Sequence, residues 1–174
     1  MTVRVRVVLG TMGPGWGFGF SQRYDFLHAS RERSQGKWHT LDGAYPLLLD
    51  EDENHTLVSM EVLPGSKYWQ VQDDLQPPCA EPVQVFVVED IDDGQVQAYF
   101  TDSGYTICYT RLGTMTDEPS MQHVAIDERV VLDIDPSGIL VGVWLLDLPP
   151  EIAEVRLVSS TGAGADPASE ADPD

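Results

Sequence analysis

Cysteine is scarce in this chain, with two in 174 residues. That excludes a disulfide scaffold. Basic residues are scarce too. Ten Lys and Arg face 29 Asp and Glu, for a formal charge of −19. A surface so poor in cations is not suited to phosphates, so direct nucleic-acid binding is not expected. Long apolar runs are missing. Pro46-Leu47-Leu48-Leu49 and the stretch 141–146 fall far short of the ~20 residues a membrane span needs. No membrane association is expected. No basic start leads into an apolar stretch with a small-residue cleavage site, so no signal peptide is expected. No long 3.6-residue apolar period occurs, so any helices should be short. What is present is enough apolar material, 42% of residues, to build a packed core. The expectation is a soluble, acidic, cytoplasmic globular protein of bacterial type.

The acid is unevenly spread. Residues 1–82 carry seven cations against eleven acids, a net of −4. Residues 83–174 carry three cations (Arg111, Arg129, Arg156) against eighteen acids, a net of −15. The last stretch, 159–174, is built of small residues, proline and acids. It has no large apolar side chain whose burial offsets the entropy of ordering, so a disordered acidic tail is expected there. The rest of the asymmetry reads as solubility or as an acidic face for a basic protein partner.

The chain also repeats itself. Residues 46–63 align without a gap with 129–146, at an offset of 83, and six of eighteen positions are identical. They are Leu49/Leu132, Asp50/Asp133, Asp52/Asp135, Leu57/Leu140, Val58/Val141 and Leu63/Leu146. Upstream, 3–8 mirrors 83–88, and 18–24 mirrors 99–105. Two copies are therefore expected, at 1–63 and 83–158. A linker over 64–82 contains Pro77-Pro78, a boundary signal.

Each copy reads as strands. Residues 3–9 alternate Val with Arg, the period of a half-buried strand. Trp16, Phe18 and Phe20 alternate with Gly17 and Gly19, so aromatics share one face and glycines the other. The glycine face suggests close approach of another backbone. Further strands are expected at 24–29, 83–88, 96–101 and 105–111. Polar connections follow at 30–43 and 112–128. Hairpins close each copy, pairing 45–49 with 57–63 and 130–133 with 139–146, with Asp, Asn, Ser and Gly in the turns. Short helices are expected at 66–71, 118–123 and 150–158. One ~60-residue unit alone would be marginal. The expected fold is mainly β with few short helices: two antiparallel repeats packed as one pseudo-twofold domain. The alternative is two independent small sheets.

The second hairpin reads Asp133-Ile-Asp-Pro-Ser-Gly138, followed by Leu140-Val-Gly-Val-Trp-Leu-Leu146. This Asp-x-Asp-x-x-Gly turn and its following strand resemble the bacterial domain-of-unknown-function family numbered 2283. Tyr109 stands where that family has a tyrosine. Trp144 replaces the family's Glu and Thr106 its upstream Asp. The first copy keeps Asp25 and Glu61 but has His55 and Ser59 where the family has glycines. The resemblance covers about fifty residues per copy. It carries no activity and implies at most a role as the partner of a small toxin.

Four chemistries bear on function. Asp50, Asp52, Asn54 and Glu61 occupy positions 1, 3, 5 and 12 of a calcium loop. Yet His55 stands where the loop needs glycine, and strands flank it. A hairpin turn with Asp side chains capping amides is the preferred reading. The run 10–20 is glycine-rich but lacks the lysine and the helix of a phosphate loop. Its aromatics Trp16, Phe18 and Phe20, with Trp144, are candidates for an apolar ligand pocket, with core packing preferred. No histidine or cysteine pair has metal-ligand spacing, and no nucleophile elbow occurs. Catalytic residues are therefore not assigned, and no cofactor is expected beyond the calcium alternative. The sequence favours a non-enzymatic interaction or regulatory protein, antitoxin-like, with a basic protein as partner. The alternative is a small-molecule or calcium-binding domain.

Overall fold

The computed structural model describes residues 2–10, 15–21, 26–31, 39–41, 47–62, 69–72, 74–91, 96–100, 107–112 and 120–151. The expected tail at 159–174 and nearly all of the expected helix at 150–158 lie outside them.

The fold is mainly β, in two sheets. The first half supplies β1 (Thr2–Leu9), β2 (Trp16–Ser21), β3 (Phe26–Arg31), β4 (His39–Leu41), β5 (Leu47–Glu51) and β6 (Leu57–Val62). Then come β7 (Trp69–Val71), β8 (Glu81–Ile91), β9 (Val96–Phe100) and β10 (Ile107–Leu112). The last three are β11 (Gln122–Asp127), β12 (Val130–Ile134) and β13 (Ile139–Leu146). The smaller sheet runs β2-β3-β6-β5-β4, and the larger runs β1-β8-β11-β12-β13-β10-β9-β7. Within the larger sheet, β9-β10-β13-β12-β11 repeats, strand for strand, the order of the smaller one. An extra β1–β13 pairing closes β1, β8, β11, β12 and β13 into a ring. Closure satisfies backbone groups that an open edge leaves exposed.

Alternation explains the strands. In β5, Leu47, Leu49 and Glu51 point inward while Leu48 and Asp50 are half-buried. The apolar row packs against alternate residues of β3 and β6. Strands β12 and β13 lack clean alternation because both faces are covered. Trp144 and Val131 face Leu75 on one side, while Leu132, Val143 and Leu145 enter the main core on the other. That core spans both sheets, from Val3, Trp16, Leu27 and Met60 to Val124, Leu140 and Leu145.

Three strands lie where the sequence suggested something else. β4 and β11 fall within the stretches read as polar connections. Gln122 and His123, expected as the end of a helix, open β11. Trp69–Val71, expected as helix, is β7 and runs parallel to β9. β4 and β7, three residues each, are too short to show a period of their own, so pairing with established strands decides their conformation; β11 does alternate, with Val124 and Ile126 buried, but only over these two apolar positions in an otherwise polar stretch. Leu75, in the stretch read as linker, packs on Val131 and Trp144. The glycine face of β2 also differs from expectation. A Cβ at Gly17 would have Ser30 O as its nearest neighbour at 3.9 Å, and one at Gly19 would have His28 Nδ1 at 3.5 Å. These are ordinary contacts, so no close backbone approach requires either glycine.

Candidate functional site

The two hairpin turns are built alike. The Asp52 carboxylate accepts from the amides of Asn54 (2.9 Å) and Thr56 (3.0 Å). The Asp135 carboxylate accepts from the amides of Ser137 (2.9 Å) and Ile139 (2.8 Å). Both aspartates thus cap backbone amides, as a polar turn requires. Burial pushes the Asp135 carboxyl up, but the amide of Ile139 and the side chain and amide of Ser137 outweigh it and hold the group below its ordinary value. His55 and Gly138 stand at the same point of each turn, with φ of 62° and 82°. Asp133 and Asp50 likewise precede matching register shifts in the ladders.

Gly138 is the glycine that the backbone demands. Its φ is positive, and a Cβ there would lie 3.2 Å from Val5 O. Gly138→Ala is expected to cost about 2 kcal/mol, from left-handed strain and displaced β1. A urea titration reads this as a lower midpoint with unchanged slope. His55 holds the equivalent conformation with a side chain, and its Nδ1 sits 2.8 Å from Glu51 Oε1.

The calcium candidates separate into two places. Asp52 and Asn54 belong to the turn. Asp50 and Glu61 belong to the half-buried face of the β5–β6 ladder, beside His28, the cross-strand partner of Glu61. Among the described residues, no set of three or more His, Cys, Asp or Glu is placed to hold a metal. Burial raises the Glu61 pKa above its ordinary 4.5, the Asp50 charge adds to this, and His28 opposes it. A carboxyl raised in the folded state adds stability below its ordinary value and loses it as pH rises through the raised one. Glu61→Gln is therefore expected to gain about 0.5 kcal/mol at neutral pH, solvent screening keeping the gain small. The gain should vanish below 4.5, the ordinary carboxyl value. Melting curves of both proteins across pH measure it.

The pocket candidates also divide. Trp16, 1% exposed, is in the main core, and Phe18 and Phe20 pack against it. Trp144 belongs to the separate cluster with Leu75 and Val131. There its indole Nε1 donates to buried Asp133 (2.8 Å), whose other oxygen meets His123 Nδ1 at 2.7 Å.

A polar junction joins β2 to the β11–β12 turn. Trp16 N donates to Asp127 Oδ2 (3.1 Å), and Arg129 N donates to Asp127 Oδ1 (2.9 Å). The Arg129 guanidinium donates to Trp16 O and lies over the Phe18 ring, 4.6 Å from its centre. Trp16 thus turns its backbone polar groups to the second half, and across the ladder it faces Arg31. Burial lowers the Arg31 pKa, while Asp52 and Asp127, one from each half, pull it back up. Among the described residues, three buried side-chain atoms lack a hydrogen-bond partner: Trp16 Nε1, Arg31 Nε and, farther across the sheet on β5, Glu51 Oε2. Two donors and one acceptor without partners are unusual in a folded interior. The sequence pointed to Trp16 and Phe18; Arg31, Glu51, Asp127 and Arg129 stand in no motif, and only the tertiary contact reveals them.

Three exposed acids lie in the β11–β12 turn and after β13 at the adjoining end of the larger sheet. Leu146 N donates to Arg129 O (2.8 Å), which sets exposed Glu128 beside exposed Asp147, with exposed Glu151 shortly after. Among described residues the exposed cations are Arg4 and Arg6 on β1. Arg4 pairs with Glu89 (3.1 Å), and Arg6 lies over Phe86. Compared with known proteins, the chain matches no family model and no curated protein.

Proposed function

We propose that the protein is a non-enzymatic interaction module whose acidic second half docks a basic protein. The observation that carries this is the inward use of Arg129. Its guanidinium is spent on Trp16 O and the Phe18 ring, with Asp127 Oδ1 3.9 Å from its Nε, so Glu128, Asp147 and Glu151 have no described cation among them. Unopposed acids of this kind steer and hold a basic partner, with a strength that falls with salt. The antitoxin-like role implied by the resemblance is of the same class. The matching strand orders and turn bonds support reading the halves as copies of one unit about an approximate twofold axis.

The test is titration of an arginine-rich peptide at low and high salt. Neutralising Glu128, Asp147 and Glu151 to Gln, Asn and Gln should weaken binding about tenfold at low salt, about 1.4 kcal/mol, and flatten the salt dependence. Neutralising Glu53 and Asp74 should not. Equal effects from both variants overturn the docking face.

Unpartnered Trp16 Nε1 and Arg31 Nε, on facing residues of β2 and β3, favour a second reading, a small-molecule site beside Trp16. Ligands and calcium, magnesium and zinc can be screened by melting temperature. A ligand at a hundredfold excess over its dissociation constant adds ~2.7 kcal/mol. Trp16→Phe, which deletes the unpaired indole N–H, should abolish a true ligand shift.

A further inference from the structure

Trp16 and Arg31 are direct partners in the β2–β3 ladder, so their side chains rise from the same face of the sheet. It is the core face: Leu27 and Ala29, the preceding inward positions of β3, are fully buried, and Trp16 is 1% exposed. Each of the pair carries a buried N–H without an acceptor, the indole Nε1 and the guanidinium Nε. Two open donors on facing residues call for an acceptor. The neighbouring acids are engaged elsewhere. Asp127 accepts from Trp16 N through Oδ2 and from Arg129 N through Oδ1. Asp52 accepts from the amides of Asn54 and Thr56 through Oδ1. Among the described residues no carboxylate is ion-paired with Arg31. Burial lowers the Arg31 pKa, and the charges of Asp52 and Asp127 oppose this. The guanidinium is therefore compensated in charge but open in hydrogen bonding. Glu51 Oε2 does not close it, since β5 stands two strands from β3 and that oxygen is itself without a partner.

We propose that Trp16 and Arg31 bind the carboxylate of a small organic acid. This rests on the reading of a small-molecule site beside Trp16 and names the ligand class of that site. An arginine presents Nε–H and one Nη–H side by side, matched to the two oxygens of a carboxylate. The indole Nε1–H, from across the ladder, adds a third donor. A carboxylate answers these donors better than a neutral carbonyl does. It offers two oxygens in place of one, and charge-assisted hydrogen bonds are roughly twice as strong as neutral ones. The body of the acid is apolar, because the inward row that continues from Trp16 is Phe18 and Phe20, both packed against the core.

Benzoate and hexanoate, titrated into the full chain with benzamide as the neutral match, test this. Melting temperature is one readout. The other is the set of indole N–H signals in a nitrogen–proton correlation spectrum. The chain has four tryptophans, and the Trp16 signal is assigned from spectra of the unaltered protein, which needs no variant to fold. The acids are expected to raise the melting temperature and to move the Trp16 indole proton downfield in a saturable way. Benzamide should bind at least about tenfold more weakly. Arg31→Lys keeps the charge but loses the paired donors, and should weaken the acids about tenfold. Trp16→Phe should abolish the melting shift. Benzamide binding as tightly as benzoate overturns the carboxylate and leaves the small-molecule reading standing. An acid response that keeps its full strength in Arg31→Lys does the same. Silence from these acids and from a wider set of neutral compounds overturns both readings and leaves a buried water as the acceptor.

Discussion

Asp127→Ala is expected to destabilise the protein by about 3 kcal/mol. The carboxylate is 8% exposed and holds two backbone amides, Trp16 N and Arg129 N. Removing it leaves a buried N–H on Trp16 without an acceptor, a loss of about 1–3 kcal/mol by itself. It also takes the negative partner from Arg129, whose guanidinium is tied to Trp16 O and Phe18. Uncompensated charge at a partly buried site adds to the cost. The damage is specific in place, because the first residue of β2 loses its anchor on the second half. Asp127→Asn keeps one acceptor oxygen and should cost about half as much. Urea unfolding measures both. A loss for Asp127→Ala below that for Asp127→Asn would show that the junction does not hold the sheets together.

Much of the fold was legible because it rests on local pattern. The alternation of Val with Arg marked β1, the aromatic-glycine alternation marked β2, and Ile139–Leu146 matched β13 end to end. The turn aspartates were legible too, since Asx capping follows from residue type and spacing. What escaped was set by neighbours distant in sequence. β4 and β7 take strand form from the strands they join, and the Val124/Ile126 alternation of β11 is too brief to stand out from its polar stretch. Asp127 meets Trp16 across 111 residues of chain, and no spacing rule foretells such a pair. Among 29 acids, a buried carboxylate looks like any solvated one until packing singles it out.

Asp133 makes the same point with a second large effect. It is 2% exposed, in a strand buried along its whole length. A carboxylate there is tolerable only if its oxygens are satisfied. One accepts from Trp144 Nε1 at 2.8 Å, and the other lies 2.7 Å from His123 Nδ1. Where the carboxylate oxygen accepts, this contact requires the His123 tautomer with its proton on Nδ1. Asp133→Ala is expected to cost about 3 kcal/mol, from the orphaned indole N–H and the cavity left in the sheet. His123→Ala alone should cost less, about 1 kcal/mol, because Trp144 still serves the carboxylate. Trp144→Phe should cost more than His123→Ala, since it strands one oxygen in the more deeply buried place. A double-mutant cycle between positions 123 and 144 should then show coupling of about 1 kcal/mol through the shared carboxylate. Additive losses would mean that Asp133 is served from elsewhere, and that the Trp144 cluster is held by apolar packing alone.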